Sequence, residues 1–289
     1  MQKLKLNSYN GKELILSSSK PFIFRSIGNI ANNSANIYSS TGAGQDGISV
    51  DAVTIKEKLL PIVGGIFGES KEDLHRKRAF LSSFFNPKDK FSITYKDDAK
   101  TRKIFGRVQD ITFKDVVGVT QEFLVQVLCP NPYWRELCEH RTDIALWQGD
   151  FEFPLEIPQE EGIEMGHRVS NLICNIKNIG DVECGIRIQF KALATVVNPS
   201  FFNINTREYI KINKTLSAGD VLEVVTEIDN TRIELLKSNN TRENVLNWLD
   251  LESDFLQLQV GDNIFRYDAE KGIDNLELVV YHNPLYLGV

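Results

Sequence analysis

Cysteine is scarce in this 289-residue sequence, which contains only Cys129, Cys138, Cys174 and Cys184. Four cysteines are too few to act as a disulfide framework for a chain of this length, so reduced thiols are expected. Cys129, Cys138 and His140 lie close together, but the Cys-x8-Cys-x-His spacing lacks the short chelate that holds tetrahedral zinc ligands. The sequence therefore predicts neither a disulfide scaffold nor a metal site.

Long apolar runs are also missing. No stretch approaches the roughly 18 apolar residues that cross a bilayer as a helix. Residues 1–7 alternate between apolar and polar side chains instead of forming the apolar core of a signal peptide. We therefore expect no secretion, no membrane partner and a reducing cytoplasmic environment during assembly.

Catalytic signatures are absent from the sequence as well. The run Gly42–Gly47 matches G-x-G-x-x-G, but a strand pattern follows it where a dinucleotide site needs a helix. There is no G-x-S-x-G elbow, and the four histidines lack the spacing that converges on a metal. These absences predict a protein that is not an enzyme, with no catalytic, cofactor-binding or metal-binding residues.

The composition is that of a folded chain, with 42% hydrophobic and 25% charged residues. Its length favours two domains, and its charge is unevenly distributed. Residues 1–142 carry 21 basic and 15 acidic residues, a net charge of +6, whereas residues 143–289 have a net charge of −12. We therefore predict a domain boundary after residue 142; the alternative is that two surfaces of unrelated function simply differ in charge.

Period-two alternation of apolar and polar residues dominates both halves and predicts a mainly β protein. The predicted strands are Lys3–Tyr9, Ser49–Leu60, Phe91–Lys96, Lys103–Val108, Glu122–Leu128, Phe151–Ile157, Val169–Ile176, Cys184–Val197, Tyr209–Ile212, Val221–Ile228, Arg232–Leu236, Asp262–Tyr267 and Leu276–Tyr281. One segment has the helical period: Ser70 can cap a helix over Lys71–Phe85, with Arg76, Lys77 and Arg78 largely outward.

Several segments, in this order, resemble one known family. They are Ile104–Val108, then Val127–Trp134 with its Pro132-Tyr133-Trp134 junction, then Phe255–Asn263. The sequence resembles the siphophage tail-component family, which includes the phage distal tail proteins. This resemblance implies an N-terminal ring (belt) domain at residues 1–142 and a C-terminal galectin-like or jelly-roll β-sandwich at residues 143–289.

The family resemblance also implies a function. It implies a structural hub at the virion tail tip of a phage or prophage, assembled in the bacterial host cytoplasm as a homohexameric ring. The implied partners are other copies of the chain, the tail-tube protein, the tail-associated tip protein and receptor-binding or baseplate proteins. The junction residues Pro132, Tyr133 and Trp134 are implied to be structural.

Two further hypotheses concern surfaces. The charge asymmetry suggests that the basic cluster Arg76, Lys77 and Arg78 faces the tail tube or the DNA passage, although a solvated helix face explains the same pattern. The alternative function is a glycan-binding β-sandwich module, because exposed tryptophans can stack on sugars. The candidate tryptophans are Trp134, Trp147 and Trp248.

Overall fold

The computed structural model describes residues 3–98, 100–145, 147–148, 167–168, 172–237 and 239–289. It divides into two compact units. The first runs through Leu137 and also takes in Leu285–Val289, and the second is Cys138–Pro284. The described residues are mostly strand with one α-helix, which confirms the predicted mainly β fold with a single helix.

Among the described residues, the first unit contains the first ten strands and the α-helix, together with the last strand, β25 (Leu285–Tyr286). The first ten strands and the helix are β1 (Lys3–Ser8), β2 (Glu13–Leu16), β3 (Phe22–Ile27), β4 (Ala35–Ser40), β5 (Ser49–Ile55), β6 (Lys58–Phe67), α1 (Lys71–Phe84), β7 (Phe91–Lys96), β8 (Thr101–Phe113), β9 (Thr120–Cys129) and β10 (Trp134–Arg135). The main sheet has the antiparallel order β2-β1-β7-β8-β9-β6-β3. Its two end strands meet at one corner, where the Phe24 N–H donates to the Ser17 carbonyl at 2.7 Å, so the sheet curls back on itself.

Alternating burial along these strands builds the core of the first unit. Helix α1 adds Leu74, Leu81 and Phe84 to that core, and Phe84 and Phe85 meet edge to face at 5.1 Å between ring centroids. Ser70 caps the helix as predicted, because its Oγ accepts the Asp73 N–H at 3.1 Å. The helix ends at Phe84, so the predicted last residue, Phe85, is instead its C-cap.

The second unit contains the next fourteen strands. These are β11 (His140–Ala145), β12 (Trp147–Gln148), β13 (His167–Arg168), β14 (Ile173–Asn178), β15 (Cys184–Ala192), β16 (Val196–Asn203), β17 (Tyr209–Lys211), β18 (Thr215–Leu216), β19 (Val221–Val225), β20 (Arg232–Leu236), β21 (Arg242–Asn244), β22 (Gln257–Leu258), β23 (Gly261–Lys271) and β24 (Leu276–His282). Three 3-10 turns occur, at Ile228–Asn230, Leu246–Trp248 and Ile273–Asn275.

Two antiparallel sheets organise the second unit. One has the order β11-β24-β15-β19-β20-β21, and the other has the order β14-β23-β16-β17. Both bury alternate residues, as sheets packed face to face do. The predicted strand Cys184–Val197 is wrong as one element, because residues 193–195 separate β15 from β16; the predicted strand Phe151–Ile157 lies outside the described residues.

The last strand, β25 (Leu285–Tyr286), returns to the first unit and pairs with β10. Tyr286 lies opposite Trp134, and its hydroxyl donates to Glu136 Oε1 at 2.6 Å. The Arg102 guanidinium carbon lies 3.4 Å from the Tyr286 ring centroid. A single cut after residue 142 therefore does not describe the compact units: they change over at Leu137, and the C-terminal strand belongs with the first.

The predicted junction residues Pro132, Tyr133 and Trp134 lie just before and at the start of β10, the strand that pairs with β25. Trp134 is fully buried, and its indole N–H donates to the Ile30 carbonyl at 3.0 Å. Pro132 is buried and Tyr133 is half-buried. The Lys58 ammonium donates to the Leu287 carbonyl at 2.8 Å, and Arg102 donates to the Gly288 carbonyl. The predicted junction thus sits where the C-terminal residues enter the first unit.

We predict that Tyr286→Ala destabilises the first unit by about 3 kcal/mol, because it removes a buried ring and its hydrogen bond to Glu136. Tyr286→Phe removes only the hydroxyl and costs about 1 kcal/mol. The matched control is Tyr9→Ala at a ring that is 71% exposed, with an expected change within about 0.5 kcal/mol. Urea unfolding followed by circular dichroism measures all three; equal midpoints for the two alanine variants would contradict the prediction.

Candidate assembly surfaces

Strands β4 and β5 form a hairpin that belongs to neither large sheet. The predicted single strand Ser49–Leu60 is wrong because the polar pair Lys56-Glu57 divides it into β5, in this hairpin, and β6, in the main sheet. Six residues of β4 span about 20 Å at the usual strand rise. An isolated two-stranded hairpin is marginal in water, so this one is expected to gain stability from a partner.

The hairpin has one apolar face. Ile37 lies opposite Val53, and Ser39 lies opposite Val50 on the same side of the ribbon. These apolar side chains are exposed by 61% for Ile37, 59% for Val53 and 56% for Val50. The register shift between Tyr38 and Ser39 is what brings Val50 to the same side as Val53. An apolar strand face normally covers a core, whereas this one faces solvent, so it is a candidate contact surface.

The hairpin tip is the glycine run noted in the sequence. Gly44 and Gly47 have φ of +78° and +83°, a left-handed conformation that favours glycine. The tip joins two strands, so the helix N-terminus of a dinucleotide site is not present at this motif. The hairpin carries Asp46 and Asp51 and no basic residue between Ala35 and Ile55.

A cavity lies in the same unit, between β3, the end of β6 and the β8–β9 connection. Its apolar lining includes Ile66, Phe67 and Val117. Val117 is 75% exposed, and the neighbouring Val116 and Val119 are also exposed. A turn that presents three valines to solvent is unusual on a monomer, so this rim is a second candidate contact surface.

Charged groups line the same cavity. The Glu122 carboxylate lies 3.0 Å from the Lys114 ammonium and 2.6 Å from the Arg25 guanidinium. The Lys114 hydrogen bond and the nearby Arg25 charge lower the pKa of Glu122. Asp115 also lines the cavity. A guanidinium has five N–H donors and an ammonium has three, so Arg25 and Lys114 keep donors beyond those that contact Glu122.

One buried acceptor in the cavity is unmet. Gln121 is 5% exposed, and its Nε2 donates to the Lys114 carbonyl at 2.7 Å. This bond fixes the amide orientation, because a flip would place Oε1 against a carbonyl oxygen. In the described part of the chain, Gln121 Oε1 has no hydrogen-bond partner. A buried unmet acceptor beside a cavity is a place where a ligand with an N–H or O–H donor would bind.

The basic cluster of α1 is not a uniform outward face. The Arg76 side chain is 80% exposed, but that of Lys77 is 21% exposed and bonds inward. Lys77 donates to Asp73 at 2.5 Å and to the Phe67 carbonyl at 3.0 Å, whereas Arg78 contacts His75 Nδ1 at 2.9 Å. Hydrogen bonds from Lys77 and Arg76 lower the pKa of Asp73.

Two family models match the sequence. The description "Phage tail protein RIFT-related domain" matches residues 9–129, and "Siphovirus-type tail component, C-terminal domain" matches residues 179–283. Together they cover well over half of the chain. The chain belongs to the siphophage tail-component family of distal tail proteins. A comparison with curated protein sequences gives no match.

Solved structures agree with this family in fold. The crystal structure of phage SPP1 Dit matches with a TM-score of 0.72 and 15% identity over 98% of each chain. SPP1 Dit is described as a paradigm of the hub adsorption apparatus in phages that infect Gram-positive bacteria. The activated phage P2 baseplate with Ca matches with a TM-score of 0.56 and 11% identity over 98% of each chain.

Two of the three tryptophans, Trp134 and Trp248, are poorly placed to stack on a sugar. Trp134 is fully buried in the first unit, so its proposed role in stacking on a glycan is wrong. Trp248 is half-buried, and the Lys214 ammonium lies 5.1 Å from its ring centroid. The Trp147 side chain lies outside what the structure describes.

None of the four cysteines forms a disulfide bond within the described residues. Cys129 and Cys184 are buried, Cys174 is half-buried and Cys138 is exposed. Burial raises the pKa of Cys129 to about 12 and that of Cys174 to about 11, so neither is a thiolate near neutral pH. Among the described residues, no group of three or more metal-ligating side chains could hold an ion. No described helix is long and apolar enough to cross a bilayer.

Because Lys77 bonds inward, replacing it affects the stability of the first unit as well as the surface charge of the basic cluster. We predict that Lys77→Met lowers the free energy of unfolding by about 1–2 kcal/mol, because the Phe67 carbonyl loses the Lys77 donor and Asp73 loses one of its donors. Arg76→Gln and the control Lys71→Met should each change it by less than about 0.5 kcal/mol. Urea unfolding of the purified variants gives these values, and a neutral Lys77→Met would show that its inward bonds are dispensable.

Proposed function

We propose that this tail component is the structural hub of a phage or prophage tail tip, and that it has no catalytic role. In this proposal six copies form a ring that joins the tail tube to the tip or baseplate and to receptor-binding components. The number six and these partners come from the family resemblance. The observation that carries the proposal is the exposed apolar face of the β4–β5 hairpin, formed by Ile37, Val50 and Val53.

A closed ring imposes a simple requirement on its subunit. Each copy must present two different surfaces, because the neighbours on its two sides are related by rotation rather than by a two-fold axis. The first unit has two such surfaces, the apolar hairpin face and the valine-rimmed cavity. Burying an exposed aliphatic side chain fully contributes about 1.5–3 kcal/mol, so a few such residues per interface support association.

The two halves of the chain have net charges of opposite sign, so we expect them to contact different partners. The net charge is +6 over residues 1–142 and −12 over residues 143–289. We assign the basic first half to the tube or DNA passage, with Arg76 as the exposed member of the Arg76, Lys77 and Arg78 cluster. The acidic second half would then meet the tip, baseplate or receptor-binding proteins. Assembly would take place in the bacterial host cytoplasm, and the finished hub would lie at the tail tip of the virion.

A glycan-binding module is the competing function. It loses support from the burial of Trp134 and from the Lys214 cation over the Trp248 ring. A module that binds sugar alone would also have no use for an apolar hairpin in the other unit. The two functions predict different masses in solution, since a sugar-binding module has no need to form a ring.

We predict that the wild-type chain, alone or with purified tail-tube and tip proteins, gives a species of six copies of 32.8 kDa in native mass spectrometry. Ile37→Ser with Val53→Ser should reduce that species at least tenfold, because the apolar hairpin face becomes polar. The unfolding midpoint of the monomer should not change, since both side chains are already exposed.

The matched control is Ile228→Ser, at an isoleucine that is 85% exposed in the second unit. It should leave the ring intact. A wild-type chain that stays monomeric with both partners present would overturn the hub proposal, and a glycan screen would then test the alternative. A ring that persists in the hairpin double variant would remove the hairpin from the interface.

A further inference from the structure

The tip of the β4–β5 hairpin carries exposed polar and apolar groups that make few contacts within the chain. Within the part of the chain that the structure describes, the Asp46 side chain makes neither a hydrogen bond nor an ion pair, whereas the Asp51 carboxylate accepts from Ser40 Oγ at 3.1 Å. Ile48, two residues later, is 60% exposed. The tip thus presents an acceptor carboxylate and an aliphatic side chain. It also presents peptide N–H groups of the turn other than those of Gly42 and Gln45, which donate within the turn at 3.0 and 3.1 Å.

The cavity offers cationic donors and an apolar surface, beside the carboxylates of Asp115 and Glu122. Arg25 and Lys114 have N–H donors beyond those used on Glu122, and Gln121 Oε1 lacks a donor. Ile66, Phe67 and Val117 provide an apolar lining. An occupant that satisfies this cavity needs a carboxylate or other acceptor, an N–H donor and an aliphatic side chain within a few residues of one another.

We propose that the cavity receives the hairpin tip of a second copy of this chain. Asp46 would meet Arg25 and Lys114, Ile48 would fill the apolar lining, and a peptide N–H of the tip would donate to Gln121 Oε1. This inference rests on the proposed ring and identifies where its two surfaces meet.

Charge supports a second copy as the occupant. Residues 35–55 have a net charge of −2, whereas residues 1–142 as a whole have a net charge of +6. The hairpin is therefore the acidic projection of an otherwise basic unit, and it is attracted to the same unit of another copy. The contact is also heterologous, since tip and cavity are different surfaces, which is the type of contact that closes into a ring.

Charge reversal tests the pairing of Asp46 with Lys114. Asp46→Lys and Lys114→Glu should each raise the dissociation constant of the ring at least tenfold, because each places like charges together. The double variant should recover most of that loss. The control is Glu57→Lys, the same charge change at the base of the hairpin, which should have little effect alone and should not rescue Lys114→Glu.

Disulfide trapping gives a test that does not depend on the charges. One chain carries Ile48→Cys and a tag, another carries Val117→Cys, and both carry Cys138→Ser to remove the exposed native thiol. Oxidation of the mixture should give a covalent dimer of one tagged and one untagged chain. Replacing the Val117→Cys partner by Ile228→Cys should abolish it.

The two proposals fail in different ways. A six-copy ring that gives no tip-to-cavity dimer, and in which Asp46→Lys has no effect, would overturn the docking of the tip while leaving the hub standing. A chain that forms neither ring nor dimer would overturn both. Circular dichroism of each variant shows whether its fold is intact. If Lys114→Glu misfolds, its effect on the ring is discarded and the disulfide-trapping result alone decides whether the tip docks in the cavity.

Discussion

The pairing of β10 with β25 is the constraint on which the rest of the structure depends. It places Trp134 opposite Tyr286, with the Arg102 guanidinium over the tyrosine ring, so the chain re-enters the first unit after 147 residues of the second. Because Lys58 and Arg102 also bind the carbonyls of Leu287 and Gly288, the last five residues complete the core of the first unit. The second unit is therefore an insertion between two strands of the first.

The first unit has a core of its own, but two of its surfaces carry groups without a partner among the described residues. The hairpin face of Ile37, Val50 and Val53 has no core beneath it, and Gln121 Oε1 has no donor among the described residues. Both features cost free energy in an isolated chain, through exposed apolar area and through a desolvated acceptor. In the proposed ring, contact with another chain would relieve both, and a structural role in a larger particle therefore suits these two features better than a solitary binding module does.

Local signals made part of this structure predictable. Ser70 with Glu72 and Asp73 located the start of the helix, and Asp97-Asp98 located the turn between β7 and β8, where Asp97 N–H donates to the Lys100 carbonyl at 2.9 Å. The exposed hairpin was not predictable, because β5 is as rich in β-branched apolar residues as a core strand and the sequence does not show whether a core lies beneath it. The return of β25 and the unmet Gln121 acceptor depend on contacts between residues far apart in the chain, which periodicity does not reveal.

The insertion of the second unit has a genetic consequence. Since the first unit stops at Leu137 and resumes at Leu285 with a strand of its own, the coding segment for residues 138–284 forms a continuous cassette. Recombination between related phages at the two edges of that cassette exchanges the whole second unit and leaves every residue of the first unchanged. Selection can then act on a new second unit while the first unit keeps its sequence and its own core.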